Sequence, residues 1–239
     1  MKNNFFRHLI SALTTATLTL SYLAMFPISE VFAEIDKSQN EFLYASVLNE
    51  YAENIIPNGV NVENATEYSD AWYYSTNVLS DYGYQFYDLD KDGTDELFVL
   101  DLTNPYKAKV NEIYTIYNGS PKKIATGGTR WDYYVVNAEN VLAMNGSSGA
   151  TVNNNVFYHL IGGKLVAFEV YTNDAGTWYY ASGDNCDKLG YDSMQVISES
   201  EVYSQHPETM GGIEMLIFED NYLFSDYTVN SSDISVHEL

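Results

Sequence analysis

Five carboxylates fall within nine residues in Asp88-Leu89-Asp90-Lys91-Asp92-Gly93-Thr94-Asp95-Glu96. Asp at alternate positions followed by Gly is the pattern of a short loop wrapped around a hard cation. Alternate side chains converge, and glycine permits the sharp turn that brings in a backbone carbonyl. The expected ligands are the side chains of Asp88, Asp90, Asp92 and Glu96 and the carbonyl of Thr94, with water completing the shell. Oxygen-only, carboxylate-rich ligation suits Ca²⁺ better than Zn²⁺. Mg²⁺ is disfavoured because it wants a tight octahedron and keeps its waters. Asp95 alternates outward from Glu96, and Asp101 reads as a strand-end residue. The competing reading is a polar turn in which Asp and Gly serve geometry alone. Against it stands the repulsion among the carboxylates, of which Lys91 offsets one charge at most.

The elements that must position this loop follow from its flanks. An EF-hand would need a bidentate Glu at its twelfth position and a helix on each side. Counted from Asp88, the twelfth residue is Val99. The flanks Tyr84–Asp88 and Leu97–Asp101 are aromatic and β-branched, which favours strands. The site is therefore expected as strand–loop–strand, with Glu96 at the ninth position closing it.

Further strands are predicted over Ile113–Tyr117, Lys122–Thr126, Trp131–Val136, Val141–Met144, Val156–Ile161, Lys164–Tyr171 and Thr177–Ala181, with a last candidate at Met215–Phe218. Asn118-Gly119, Asn145-Gly146, Gly162-Gly163 and Asn173–Gly176 read as turns between them. Before the strands, Ser38–Ile56 has helical periodicity through Tyr44, Val47, Leu48, Tyr51 and Ile55. Pro57-Asn58-Gly59 ends it. Ala65–Leu79 reads as a second, poorer helix, and Glu199–Gln205 as a short one. The fold class expected is α+β, with an N-terminal helix or helices packed on an antiparallel β-meander sheet.

Residues 1–33 read as a secretory signal peptide: a basic start at Lys2 and Arg7, an apolar stretch, and Val31-Phe32-Ala33 before the junction. Residues 34–239 then form a single domain carrying the calcium loop at 88–96, long enough for one real core. No second apolar run is long enough to span a bilayer, so no membrane association is expected once the signal is cleaved. The 239-residue chain has a formal net charge of −22. Such a surface repels nucleic acid and anionic membranes and attracts divalent cations. The one cysteine, Cys186, rules out an internal disulfide, so core and metal must carry stability in an extracellular setting.

All three tryptophans sit beside tyrosines: Trp72-Tyr73-Tyr74, Trp131-Asp132-Tyr133-Tyr134 and Trp178-Tyr179-Tyr180. These clusters could present a platform for carbohydrate or peptide. The other reading, which composition favours, is a Tyr-rich core. On a strand, Trp178 and Tyr180 would share one face, with Tyr179 opposite. Signs of catalysis are few. Gly146-Ser147-Ser148-Gly149 is not a nucleophile elbow. His159, His206 and His237 lack zinc-ligand spacing. No phosphate loop or dinucleotide fingerprint occurs.

The motif Asp88-x-Asp90-x-Asp92-Gly93-x-x-Glu96 resembles the calcium loops of FG-GAP-type propeller repeats and of dockerins. The single copy and the strand after it depart from both. More widely, the chain resembles uncharacterised secreted proteins and lipoproteins of Gram-positive gut bacteria. They pair a helix like Phe42–Tyr51 with a segment like Tyr87–Leu97, a strand like Ile113–Tyr117 and a hairpin like Tyr158–Leu165. That resemblance implies an extracellular, calcium-loaded domain and brings no activity with it. The expected function is a secreted calcium-binding domain, a non-catalytic binding or interaction protein. The alternative is a secreted hydrolase, carbohydrate-active, with calcium as a structural ion.

Overall fold

Strand β2 (Glu96–Asp101) is apolar on both faces, and the architecture follows from that. In the computed structural model, which describes residues 37–60, 68–104, 108–136, 140–205 and 221–229, the chain divides into two compact units, Met1–Phe42 and Leu43–Leu239. In the first unit residues 37–42 are helical, and Lys37 pairs with Glu41 one turn later at 3.3 Å. The predicted signal peptide lies outside the described residues.

The second unit holds two antiparallel sheets. The first contains β1 (Tyr82–Tyr87), β2, β3 (Lys109–Tyr117), β4 (Ser120–Thr126) and the short β11 (Tyr222–Leu223), in the order β11-β1-β2-β3-β4. The second contains β5 (Trp131–Val136), β6 (Val141–Ser147), β7 (Val152–Leu160), β8 (Leu165–Asp174), β9 (Thr177–Ser182) and β10 (Gln195–Ile197), in the order β10-β9-β8-β7-β6-β5. Each sheet is a meander of neighbours in sequence, except that β11 returns to pair with β1. The single sheet expected from the sequence is thus corrected to two.

Alternation along β2 separates two cores. Leu97 and Val99 join Tyr82, Tyr84 and Tyr114 in one cluster, with Tyr44, Leu48, Tyr51 and Ile55 of the helical run. Phe98 and Leu100 join Leu89, Val110 and Ile113 in the other, with Val135, Leu142 and Leu160 from the second sheet. The two sheets therefore face each other through the second cluster. All four side chains Leu97–Leu100 are fully buried, each worth roughly 1.5–3 kcal/mol of transfer free energy. On its far face the second sheet packs Phe157, Tyr171 and Trp178 against Val202.

The helical run is α1 (Ala45–Glu50), one π-helical turn at Tyr51–Ile55 and α2 (Ile56–Asn58). The second helix predicted over Ala65–Leu79 is not formed where the chain is described. Asp70–Tyr74 and Leu79–Asp81 are 3-10 turns joined by extended backbone, and Asn77 takes a positive φ of 59°. The Ser69 side chain caps the first turn by accepting from the Ala71 N–H. The third helix, α3 (Glu199–Gln205), matches the predicted span. Asn118 and Gly119, at φ 53° and 77°, make the tight hairpin between β3 and β4.

Asn145-Gly146, expected as a turn, instead lies inside β6, where Asn145 pairs with Asn155 and Gly146 with Asn154. Gly146 is needed there because the Trp131 indole occupies the space a Cβ would take. The strand candidate Met215–Phe218 lies outside the described residues, among which no helix is long and apolar enough to cross a membrane.

Candidate metal centre

The acidic loop joins β1 to β2, whose register closes with Tyr87 opposite Glu96. The loop folds on its own backbone. Asp90 Oδ1 accepts from the Asp92 N–H at 3.2 Å, Asp92 Oδ1 from Thr94 N–H at 2.8 Å, and Asp88 Oδ2 from Gly93 N–H at 3.1 Å. Gly93 at φ 89° and Lys91 at φ 59° supply the turns. Leu89 points the other way, is fully buried, and anchors the loop in the cluster between the sheets.

These constraints bring one carboxylate oxygen each of Asp88, Asp90 and Glu96 within 4.8 Å of one another. Asp92 and Thr94, the other two expected ligands, lie in the same loop. Asp88 and Asp90 are half-buried, whereas Glu96 is 1 % exposed. The Oδ1 atom of Asp88 is buried and has no hydrogen-bond partner among the described residues. Such an atom costs about 1–3 kcal/mol unless something satisfies it.

Glu96 is held on two sides. Its Oε2 accepts from the Leu89 N–H at 2.8 Å, and its Oε1 accepts from the Thr115 hydroxyl of β3 at 2.9 Å. Burial drives its carboxyl up to about 8, against those two donors and with the help of Asp90 and Asp92. Asp90 is also raised, first by burial and then by its carboxylate neighbours, against the pull of the Asp92 N–H. Without an ion, Glu96 and Asp90 thus resist ionisation, and a divalent cation bound between them would favour both charged forms.

The helical run reaches the same loop. The hydroxyl of Tyr44 donates to the Asp95 carbonyl at 2.8 Å and lies 3.4 Å from the Tyr114 carbonyl.

Sequence reasoning missed a second buried carboxylate, Glu112, which is fully buried on β3. It accepts from the Ser69 N–H at 2.7 Å and from the Trp72 indole at 2.9 and 3.0 Å. Burial raises its carboxyl, against the Ser69 N–H and the charge of Lys123. The neighbouring Asn111 is the extra residue of a bulge in β3, between Val99–Glu112 and Leu100–Val110 pairs. Glu112, the one acidic residue of β3, was the available signal.

The aromatic clusters divide. Trp72 and Trp178 are core residues, at 1 % and 7 % exposure. Trp178 and Tyr180 pack into the same cluster, while Tyr179 stacks on Tyr191 at 4.8 Å. Trp131 is half-buried. His159 stacks on Phe168 at 4.2 Å, and His206 and His237 lie outside the described residues. Cys186 is buried among Met144, Val156 and Ala181. A small cleft holds the carboxylates Asp101 and Asp132, but Asp101 accepts from Thr103 and Asp132 pairs with Lys109 at 3.5 Å. No protein family, curated protein or solved structure matches the chain.

Proposed function

We propose that the protein is an extracellular, calcium-stabilised binding or interaction domain without catalytic activity of its own. The observation that carries this reading is the convergence of Asp88, Asp90 and Glu96, one of them buried, together with a buried Asp88 Oδ1 that has no hydrogen-bond partner among the described residues. A carboxylate-rich oxygen cage favours Ca²⁺ over Zn²⁺. In this reading Asp92 and the Thr94 carbonyl add to the set, and the ion clips the turn between β1 and β2. The helical run 45–58 then caps the first sheet, making an α+β domain. The leader-like residues 1–33, the acid-rich composition and the resemblance to secreted proteins of Gram-positive gut bacteria support an extracellular setting.

Thermal unfolding tests the ion. An ion that binds the folded state alone adds about 2.7 kcal/mol at a hundred times its dissociation constant. Wild type should melt higher in excess Ca²⁺ than in chelator, and Asp90→Ala should show no such difference. Parallel runs with Mg²⁺ and Zn²⁺ identify the preferred ion. Identical curves for both proteins in Ca²⁺ and in chelator would refute the reading.

A further inference from the structure

The face of the second sheet that carries Met144, Val156 and Val170 is overlaid by the turns at Cys186–Lys188 and Tyr191–Ser193, leaving a half-open cleft of about 230 Å³ between them. This is smaller than the roughly 300–1,000 Å³ of pockets for drug-sized ligands, so it suits a single small unit. Its chemistry is mixed. Trp131, Tyr158 and Tyr191 supply aromatic rings, and Asn154, Thr172 and Asp187 supply polar groups. The lining contains no Lys or Arg, and the chain as a whole is strongly acidic, so an anionic ligand would be repelled.

The groups around the cleft are already held. Trp131 lies in the space that Gly146 leaves by having no Cβ. Tyr191, 40 % exposed at the rim, stacks on Tyr179 with only 11° between the rings. The Asn154 amide is oriented from two sides: its Oδ1 accepts from the Thr172 hydroxyl at 2.8 Å, and its Nδ2 donates to the Ser148 hydroxyl at 3.3 Å. Rings fixed in advance cost little entropy when they bind.

A ligand that matches this lining has an apolar C–H face for the rings, a rim of hydroxyls for amide, hydroxyl and carboxylate, and no net charge. We propose that the cleft binds one residue of a neutral carbohydrate, with Trp131 and Tyr191 as the stacking surfaces and Asn154, Thr172 and Asp187 as the polar partners. This deepens the reading of the chain as an extracellular binding domain but does not depend on the ion, which belongs to the other sheet.

Trp131 also provides the readout, because the other two tryptophans are buried. The calcium-loaded protein is titrated with neutral oligosaccharides (cello-, xylo-, manno- and N-acetylchito-oligomers) while tryptophan emission and acrylamide quenching are followed. At least one series should protect the exposed emission. Tyr191→Ala should weaken its binding about tenfold, the loss expected of one aromatic contact. Asp187→Asn should weaken it too, and Tyr117→Ala, on an exposed ring of the first sheet, should leave it unchanged. Circular dichroism confirms that each variant is folded. Failure of every series to bind, or binding that Tyr191→Ala and Asp187→Asn leave intact, overturns the proposal. The same titration in chelator separates it from the calcium reading, since loss of the calcium-dependent melting shift with sugar binding retained would refute only the latter.

Discussion

Replacing Glu96 by Gln should have opposite effects with and without the ion. In ion-free protein the carboxyl is raised from 4.5 to about 8, chiefly by burial. Its folded value lies above its unfolded one. Its contribution to stability is therefore complete below pH 4.5 and is lost as pH rises through about 8. At pH 7 the unfolded chain carries the group ionised, and folding must protonate it, at a cost of about 3 kcal/mol. Gln removes that cost. It keeps the hydrogen bonding of the protonated acid, since its oxygen can accept from the Leu89 N–H while its amide donates to the Thr115 hydroxyl. In chelator Glu96→Gln should therefore be more stable than wild type, by up to about 3 kcal/mol. In saturating Ca²⁺ the wild type gains about 2.7 kcal/mol at a hundred times the dissociation constant, and the variant, lacking the closing carboxylate, does not. For a domain of this size that gain is about 5–10 °C in melting temperature. Differential scanning calorimetry of both proteins at pH 7, in chelator and in excess Ca²⁺, measures it. A variant destabilised by the same amount in both media would show that Glu96 serves packing and hydrogen bonding alone.

Two further predictions concern the core. Glu112 is raised by burial, so its contribution is present at low pH and falls away as pH climbs through its folded value; Glu112→Gln should flatten the decline in urea midpoint as pH rises above the ordinary carboxylate range, measured in chelator, and an unchanged slope would contradict this. Gly146→Ala puts a methyl into the Trp131 indole and should cost about 1–3 kcal/mol while shifting tryptophan emission to the red; unaltered stability and emission would mean the ring is not seated there.

Strands β1–β9 were legible because most alternate or run apolar between clear breaks, and the Asn118-Gly119 hairpin because its two residues tolerate positive φ; the short β10 and β11 were not predicted. The same Asn-Gly signal misled at Asn145-Gly146. There glycine serves a cross-strand tryptophan, a reason that only the three-dimensional neighbour reveals. The split into two sheets was written in Leu97-Phe98-Val99-Leu100, since a strand without a polar side must be covered on both. The acidic loop could be read because its ligands are consecutive in sequence. Thr115 and the Leu89 N–H, which fix Glu96, could not, because the first comes from another strand and the second is backbone. Glu112 escaped notice because its donors, Ser69 and Trp72, lie some forty residues earlier.

Strand β2 is the common wall of both cores, and Glu96 is its first residue. A wall shared by two rooms cannot lean into one without pulling on the other. The segment should therefore open only when the whole Leu43–Leu239 unit opens, so its amide hydrogens should exchange by global unfolding rather than by local fraying. The nine-residue loop at its edge is fastened to the hinge point of that single cooperative event. A perturbation there is felt across both sheets, although it touches only the tip of one hairpin.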